Sequence, residues 1–185
     1  MPPKVKVTRE QIVQAALALV RESGAQALNA RAVANRLGCS TQPVFSNYAT
    51  MEELKLDVLR AADECYQAHL AKGMRDSAYP PYKASGVAYI GFARQERELF
   101  KLLFMRDRRG EKVEEDRQSV APLLRILSAN TGMSEDEAYF FHLEMWVYVH
   151  GIATMIATDY LDWDEALISR MLTDAYEGMK ERYKK

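Results

Sequence analysis

The chain has 185 residues, 48% of them hydrophobic and 28% charged. That is long enough to bury a sizeable core and too apolar for a disordered segment. A formal net charge of −1 gives no global sign of a polyanion partner, and the two cysteines, Cys39 and Cys65, are too few for a disulfide framework and lack metal-ligand spacing.

The N-terminus, MPPKVKVTRE, has no apolar stretch of signal-peptide length. No window nears the roughly 18 uninterrupted apolar residues of a membrane span. A cytoplasmic protein without membrane contact, cofactor or metal is expected. The charge is unevenly spread: Lys4, Lys6, Arg9, Arg21, Arg31 and Arg36 face only Glu10 and Glu22 in residues 1–50, a net +4. A basic N-terminal part on an acidic body suits one polyanion-facing domain.

In chain order the sequence predicts helices throughout, an all-α fold. Thr8-Arg9-Glu10-Gln11 is a capping box, Ile12, Ala16, Leu19 and Val20 recur at helical spacing, and Gly24 ends the helix. Asn29 caps a short second helix with Val33 and Leu37 inward, stopped by Gly38. Ser40 is placed to cap a third, with Pro43 in its first turn, where a missing N–H costs nothing. Thr50-Met51-Glu52-Glu53 opens a long helix to about Ala71. After Pro80-Pro81, helices are predicted near 82–94, 96–106, 112–130, 135–159 and 164–182, with loops at 106–110 and 130–132. Period-two runs and hairpin dipeptides are missing.

Two short helices joined at Gly38 after a longer first helix form a helix-turn-helix pattern. Ala34 is small where they must pack closely, and Gly38 suits a positive φ at the turn. In such a unit the second short helix enters the DNA major groove. The stretch from Thr8 to Leu59 resembles the TetR family of repressors. The resemblance rests on Ile12, Ala15-Ala16, Gly24, Leu28-Asn29-Ala30-Arg31-Ala32-Val33-Ala34 and Leu37-Gly38-Cys39-Ser40. Val44-Phe45-Ser46-Asn47-Tyr48 and Glu52-Glu53-Leu54 complete it. It implies a three-helix DNA-binding domain over residues 1–50, a ligand-binding and dimerisation domain over 51–185, and a homodimer. Two positions depart from the family pattern: Phe45 replaces the usual tyrosine, and Met51 replaces the usual lysine that opens the fourth helix. Trp146…His150-Gly151 is similar to the Trp-His-Gly signature of one TetR C-terminal subfamily. Phe100-Lys101-Leu102-Leu103-Phe104-Met105 is similar to that subfamily's apolar run.

The candidate DNA contacts are Lys4, Lys6, Arg31, Thr41, Gln42, Phe45, Ser46, Asn47 and Tyr48. Glutamine suits the adenine edge, and Ser or Thr can bond a base or a phosphate. Phe104, Trp146 and His150 are candidate ligand contacts for an unknown small-molecule effector. His142 and His150, eight apart, lack a third ligand for a metal. The last two helices are expected to form a four-helix dimer interface through Met145, Ile152 and Ile156 on one and Leu167, Met171, Ala175 and Gly178 on the other.

The function expected is a ligand-responsive regulator, a repressor that leaves its double-stranded DNA operator when a small molecule binds. Two alternatives are an all-helical enzyme and a helical adaptor that has lost DNA binding. The first lacks a Gly-rich phosphate loop, a nucleophile elbow and an i, i+4 His/Glu metal pair, and the second draws on Phe45 and Met51.

Overall fold

The computed structural model describes residues 7–107, 109 and 117–183. Among these there are only helices and turns. We label the helices α1 (Arg9–Ser23), α2 (Ala30–Arg36), α3 (Gln42–Asn47), α4 (Met51–Asp76), α5 (Pro81–Gln95), α6 (Arg97–Phe104), α7 (Arg117–Thr131), α8 (Glu135–Ala157) and α9 (Glu165–Lys180). Packing groups them into two compact units: Met1–Ala68 with Glu96–Arg106, and His69–Gln95 with Asp107–Lys185. The sequence reading ends the first domain at residue 50, whereas packing adds α4 up to Ala68 and all of α6 to the first unit.

In the first unit the capping signals at Thr8 and Asn29 work as read. The Thr8 N–H donates to Gln11 Oε1 at 2.9 Å, and the Gln11 N–H donates to Thr8 Oγ1 at 3.2 Å. Asn29 Oδ1 accepts from the Ala32 N–H at 2.9 Å. Each bond satisfies an orphan donor of a helix start. Ser40 does not cap α3: the helix begins one residue later, behind Thr41, whose side chain makes no capping bond. Pro43 in the first turn offsets part of that loss by having no N–H to satisfy. Thr50 Oγ1 accepts from the Glu53 N–H at 3.3 Å, but the Glu53 carboxylate takes the N–H of Ala49, not that of Thr50. Ile12, Ala16, Val20, Val33, Val44, Tyr48, Leu54, Val58, Leu99 and Phe100 are buried here. Gly38 has φ +63°, the left-handed turn that lets α3 depart sharply from α2.

In the second unit α5 lies along α8, with α7 and α9 packed on the same pair. Leu127, Met133, Ala138, Phe141 and Met145 form one core cluster, flanked by Tyr82, Tyr176, Met179 and Tyr183. The Phe141 ring meets Tyr176 and Tyr183 edge-on, centroids 5.3 and 5.8 Å apart, the arrangement that the ring quadrupoles favour. A capping box at Ser134 and Glu137 starts α8. The 130–132 loop begins later than predicted, since α7 continues through Thr131 before Gly132 turns the chain. Of the predicted helix 112–130, residues 112–116 lie outside the described ones. No helix among the described residues is long and apolar enough to cross a membrane.

Three expected dimer residues are corrected. Met145, Ile152 and Ile156 are buried within their own subunit, because α8 turns that side toward α5, α7 and α9. The apolar side chains it leaves exposed are Phe140, Trp146, Val147 and Met155. Phe140, Val147, Gly151 and Met155 follow one another at 7-, 4- and 4-residue steps, one stripe of the helix. A Cβ added at Gly151 or Gly178 would meet nothing.

Candidate nucleic-acid interface and ligand site

α3 turns Val44 and Tyr48 inward. The Tyr48 hydroxyl donates to Asp57 Oδ2 at 2.9 Å, and Arg9 Nε donates to the same oxygen at 2.9 Å. The Arg9 guanidinium lies 4.3 Å over the Tyr48 ring, and Arg60 holds Asp57 Oδ1 at 2.6 Å. The bond from Arg9 is the main reason that Asp57 is held below the usual carboxylate range. Burial pushes the Tyr48 phenol up. Three helices are tied here: α1 through Arg9, the end of α3 through Tyr48 and α4 through Asp57. Tyr48 is thus placed as a buried post rather than as an exposed contact.

The remaining α3 residues divide by what their polar groups already do. Ser46 Oγ donates to the Gln42 carbonyl at 2.9 Å, and Asn47 Nδ2 donates to the Pro43 carbonyl at 2.8 Å. Such back-bonds are ordinary for short polar side chains on helices, and they occupy the donors that a base edge would need. Thr41 and Gln42 have no side-chain partner among the described residues, and Gln42 is exposed. Phe45 is 54% exposed. Of the nearby cations, Arg36 is clamped on Glu22 by two bonds of 2.7 and 2.6 Å, and Arg21 is held by Glu96 at 2.8 Å. Arg31 is exposed and has no ion pair among the described residues. Lys4 and Lys6 lie outside the described residues. Arg31 on α2, Thr41 at the start of α3, and Gln42 and Phe45 on α3 therefore have functional groups that no other described residue engages.

The candidate ligand contacts fall in different places. Phe104 belongs to the first unit, edge-on to Tyr66 with centroids 5.1 Å apart. Trp146 and His150 belong to the second, stacked at 5.0 Å and 17°. Tyr89 Oη lies 2.8 Å from His150 Nδ1, and Tyr82 Oη lies 3.1 Å from His142 Nδ1. Burial lowers the pKa of both imidazoles. The α5–α8 contact thus carries two Tyr–His pairs, each histidine engaged as a hydrogen-bond partner. The described residues form no cluster suited to a metal ion.

Sequence reading missed a cavity of about 280 Å³ in the second unit, lined by His69, Lys72, Gly73, Ile90, Gly91 and Arg94 among others. Phe104, Trp146 and His150 are not among its lining residues. The Arg94 guanidinium reaches Asp162 at 2.7 Å and the Trp163 carbonyl, while its buried Nε has no partner. Two glycines are part of its lining. A Cβ on Gly73 would come within 2.6 Å of the Ala88 Cβ, and one on Gly91 would lie 3.4 Å from His69 Nε2. The sequence signal is Gly73 inside a helical run, which the close approach of Ala88 explains.

The family model for the tetracyclin repressor-like C-terminal domain matches residues 82–175. The chain belongs to the TetR family of transcriptional regulators. The match is to that C-terminal domain and does not single out the Trp-His-Gly subfamily. An uncharacterised HTH-type transcriptional regulator of Mycobacterium tuberculosis is 24% identical over 183 residues, covering 96% of this chain and 84% of that one. A solved structure of a protein of unknown function from Rhodococcus sp. RHA1 matches with a TM-score of 0.70 at 20% identity, covering 97% of this chain and 96% of that one. A TetR family member from Streptomyces coelicolor A3 matches with a TM-score of 0.64 at 19% identity, covering 90% and 96%. These structures share the fold of this TetR regulator: an N-terminal helix-turn-helix followed by a helical domain.

Proposed function

We propose that this TetR regulator is a repressor that binds an operator in double-stranded DNA as a homodimer and releases it when a small molecule occupies the second unit. The observation that carries the reading is the state of α3. Thr41 and Gln42 stand at the helix start with unengaged side chains, on a helix held by the Tyr48–Asp57–Arg9 cluster. A recognition helix needs polar groups free to bond base edges and a scaffold that does not reorganise on binding. Arg31, Lys4 and Lys6 supply phosphate contacts that set register and salt dependence.

The 280 Å³ cavity is the place for the effector, near the lower size of ligand pockets at about 300 Å³. Its orphaned Arg94 Nε suits an effector with a hydrogen-bond acceptor. The effector acts by binding better to the conformation that separates the recognition helices, and its effect is limited by that difference in affinity. The second copy packs on the α8 stripe of Phe140, Val147, Gly151 and Met155 and on α9 at Leu167 and Gly178. Glycine at 151 and 178 permits close helix approach.

A mobility-shift titration with the DNA upstream of the protein's own gene tests the reading. A saturable shift that resists unrelated competitor DNA, and weakens for Gln42→Ala, is expected. Binding that competitor abolishes equally at every sequence would leave no operator and refute the proposal.

A further inference from the structure

We propose that Phe45 reads sequence: its exposed phenyl ring contacts the C5-methyl group of a thymine next to the base pair that Gln42 reads. The inference rests on the DNA-binding reading above and names what part of an operator this α3 selects.

The geometry points to it by elimination and by placement. The outward vocabulary of α3 is short. The Ser46 and Asn47 donors are spent on carbonyls of their own helix. Pro43 has no N–H, and Tyr48 is buried on Asp57. Ser46 and Asn47 keep only acceptor atoms, and the side chains with no bond of their own are Thr41, Gln42 and Phe45. Gln42 and Phe45 are three residues apart, hence neighbours along one side of the helix, and both are exposed. Phe45 has no hydroxyl to donate to a phosphate oxygen, so a backbone contact gives its ring no hydrogen bond. The major groove offers one apolar feature, the thymine methyl, and phenylalanine is among the residues suited to it. A 54% exposed ring gives up water on contact, and removing one carbon group from such a contact costs about fourfold in affinity. Gln42 on an adenine edge and Phe45 on an adjacent thymine methyl would together make each half-site select two neighbouring base pairs.

The experiment selects binding sites from a pool of random duplexes with the full-length protein. Each thymine of the selected site is then replaced in turn by deoxyuridine, which removes only the methyl group. Affinities are measured at low salt, where phosphate contacts keep weakened variants bound. One thymine per half-site is expected to show a loss of about fourfold on replacement. Phe45→Ala should abolish that sensitivity. Gln42→Ala should retain it while losing discrimination at the neighbouring base pair. If uracil is tolerated at every thymine, or weakens Phe45→Ala as much as the parent, Phe45 does not read the methyl and the inference falls while DNA binding stands. A pool that fails to enrich any sequence overturns the DNA-reading assignment and this inference with it. Equal thermal stability of Phe45→Ala and the parent, expected for an exposed side chain, confirms that the comparison is between folded proteins.

Discussion

Tyr48→Phe separates a structural role from a DNA-contacting one by removal of a single oxygen. The ring stays, so the buried volume against α1 and α4 is unchanged. What is lost is the bond from the phenol to Asp57 Oδ2, 2.9 Å long and 1% exposed on the tyrosine side. A hydrogen bond to a charged group contributes about 1.5–3 kcal/mol. Asp57 keeps Arg9 and Arg60 as partners, so the lower end, about 1.5 kcal/mol, applies. For a chain of this size that corresponds to a fall in Tm of about 3–6 °C. Thermal unfolding of Tyr48→Phe, Asp57→Asn and the double variant reads both the loss and the coupling between the two side chains. DNA affinity measured well below the transition should be unchanged, since the hydroxyl faces Asp57 rather than solvent. A variant as stable as the parent that binds all duplexes more weakly would refute the argument. It would show that the phenol leaves Asp57 for a phosphate in the complex.

The second prediction concerns pH. Burial depresses the folded-state pKa of His142 below its ordinary 6.5, so the unfolded chain binds the proton more readily. Stability is then fully present above about pH 6.5 and falls as the pH drops from there toward the folded value. Tm should decline from neutral to mildly acidic pH, and His142→Gln should flatten the decline. An unaltered profile would assign the pH dependence to other groups. Met51→Lys restores a charge at the start of α4 and should tighten binding alike on operator and unrelated DNA, steepening the log–log salt slope by up to about one unit per subunit. No change in either would mean that Met51 does not face the phosphates. Val147, 63% exposed on the α8 stripe, should be a dimer contact. Val147→Glu is expected to sediment as a monomer or a weakened dimer at unchanged monomer helicity, and an intact dimer would place the interface elsewhere.

The sequence by itself determined the elements governed by neighbours along the chain. Thr8 with Gln11, Asn29 with Ala32 and the turn at Gly38 depend on bonds or backbone angles spanning three or four residues. They are legible because capping chemistry and glycine's access to positive φ are local properties. The Ser134–Glu137 box is of the same kind and stands plainly in the sequence. At α3 the cap read at Ser40 is displaced by one residue to Thr41, whose side chain makes no capping bond. Only the tertiary structure decided which face of α8 is inside. Met145, Ile152 and Ile156 on one side, and Phe140, Val147 and Met155 on the other, are equally apolar. A helix hydrophobic all round carries no phase from which to read its core side. The same limit governs the sites. Tyr48 looks like a surface aromatic on a recognition helix until Asp57 and Arg9, from two other helices, are placed around it. The Nε of Arg94 is left without a partner while Nη2 bonds both Asp162 and the Trp163 carbonyl. Arg9 and Asp57 are 48 positions apart and Arg94 and Asp162 are 68 apart, and the pairing of such residues is fixed by how helices pack, which no local pattern encodes.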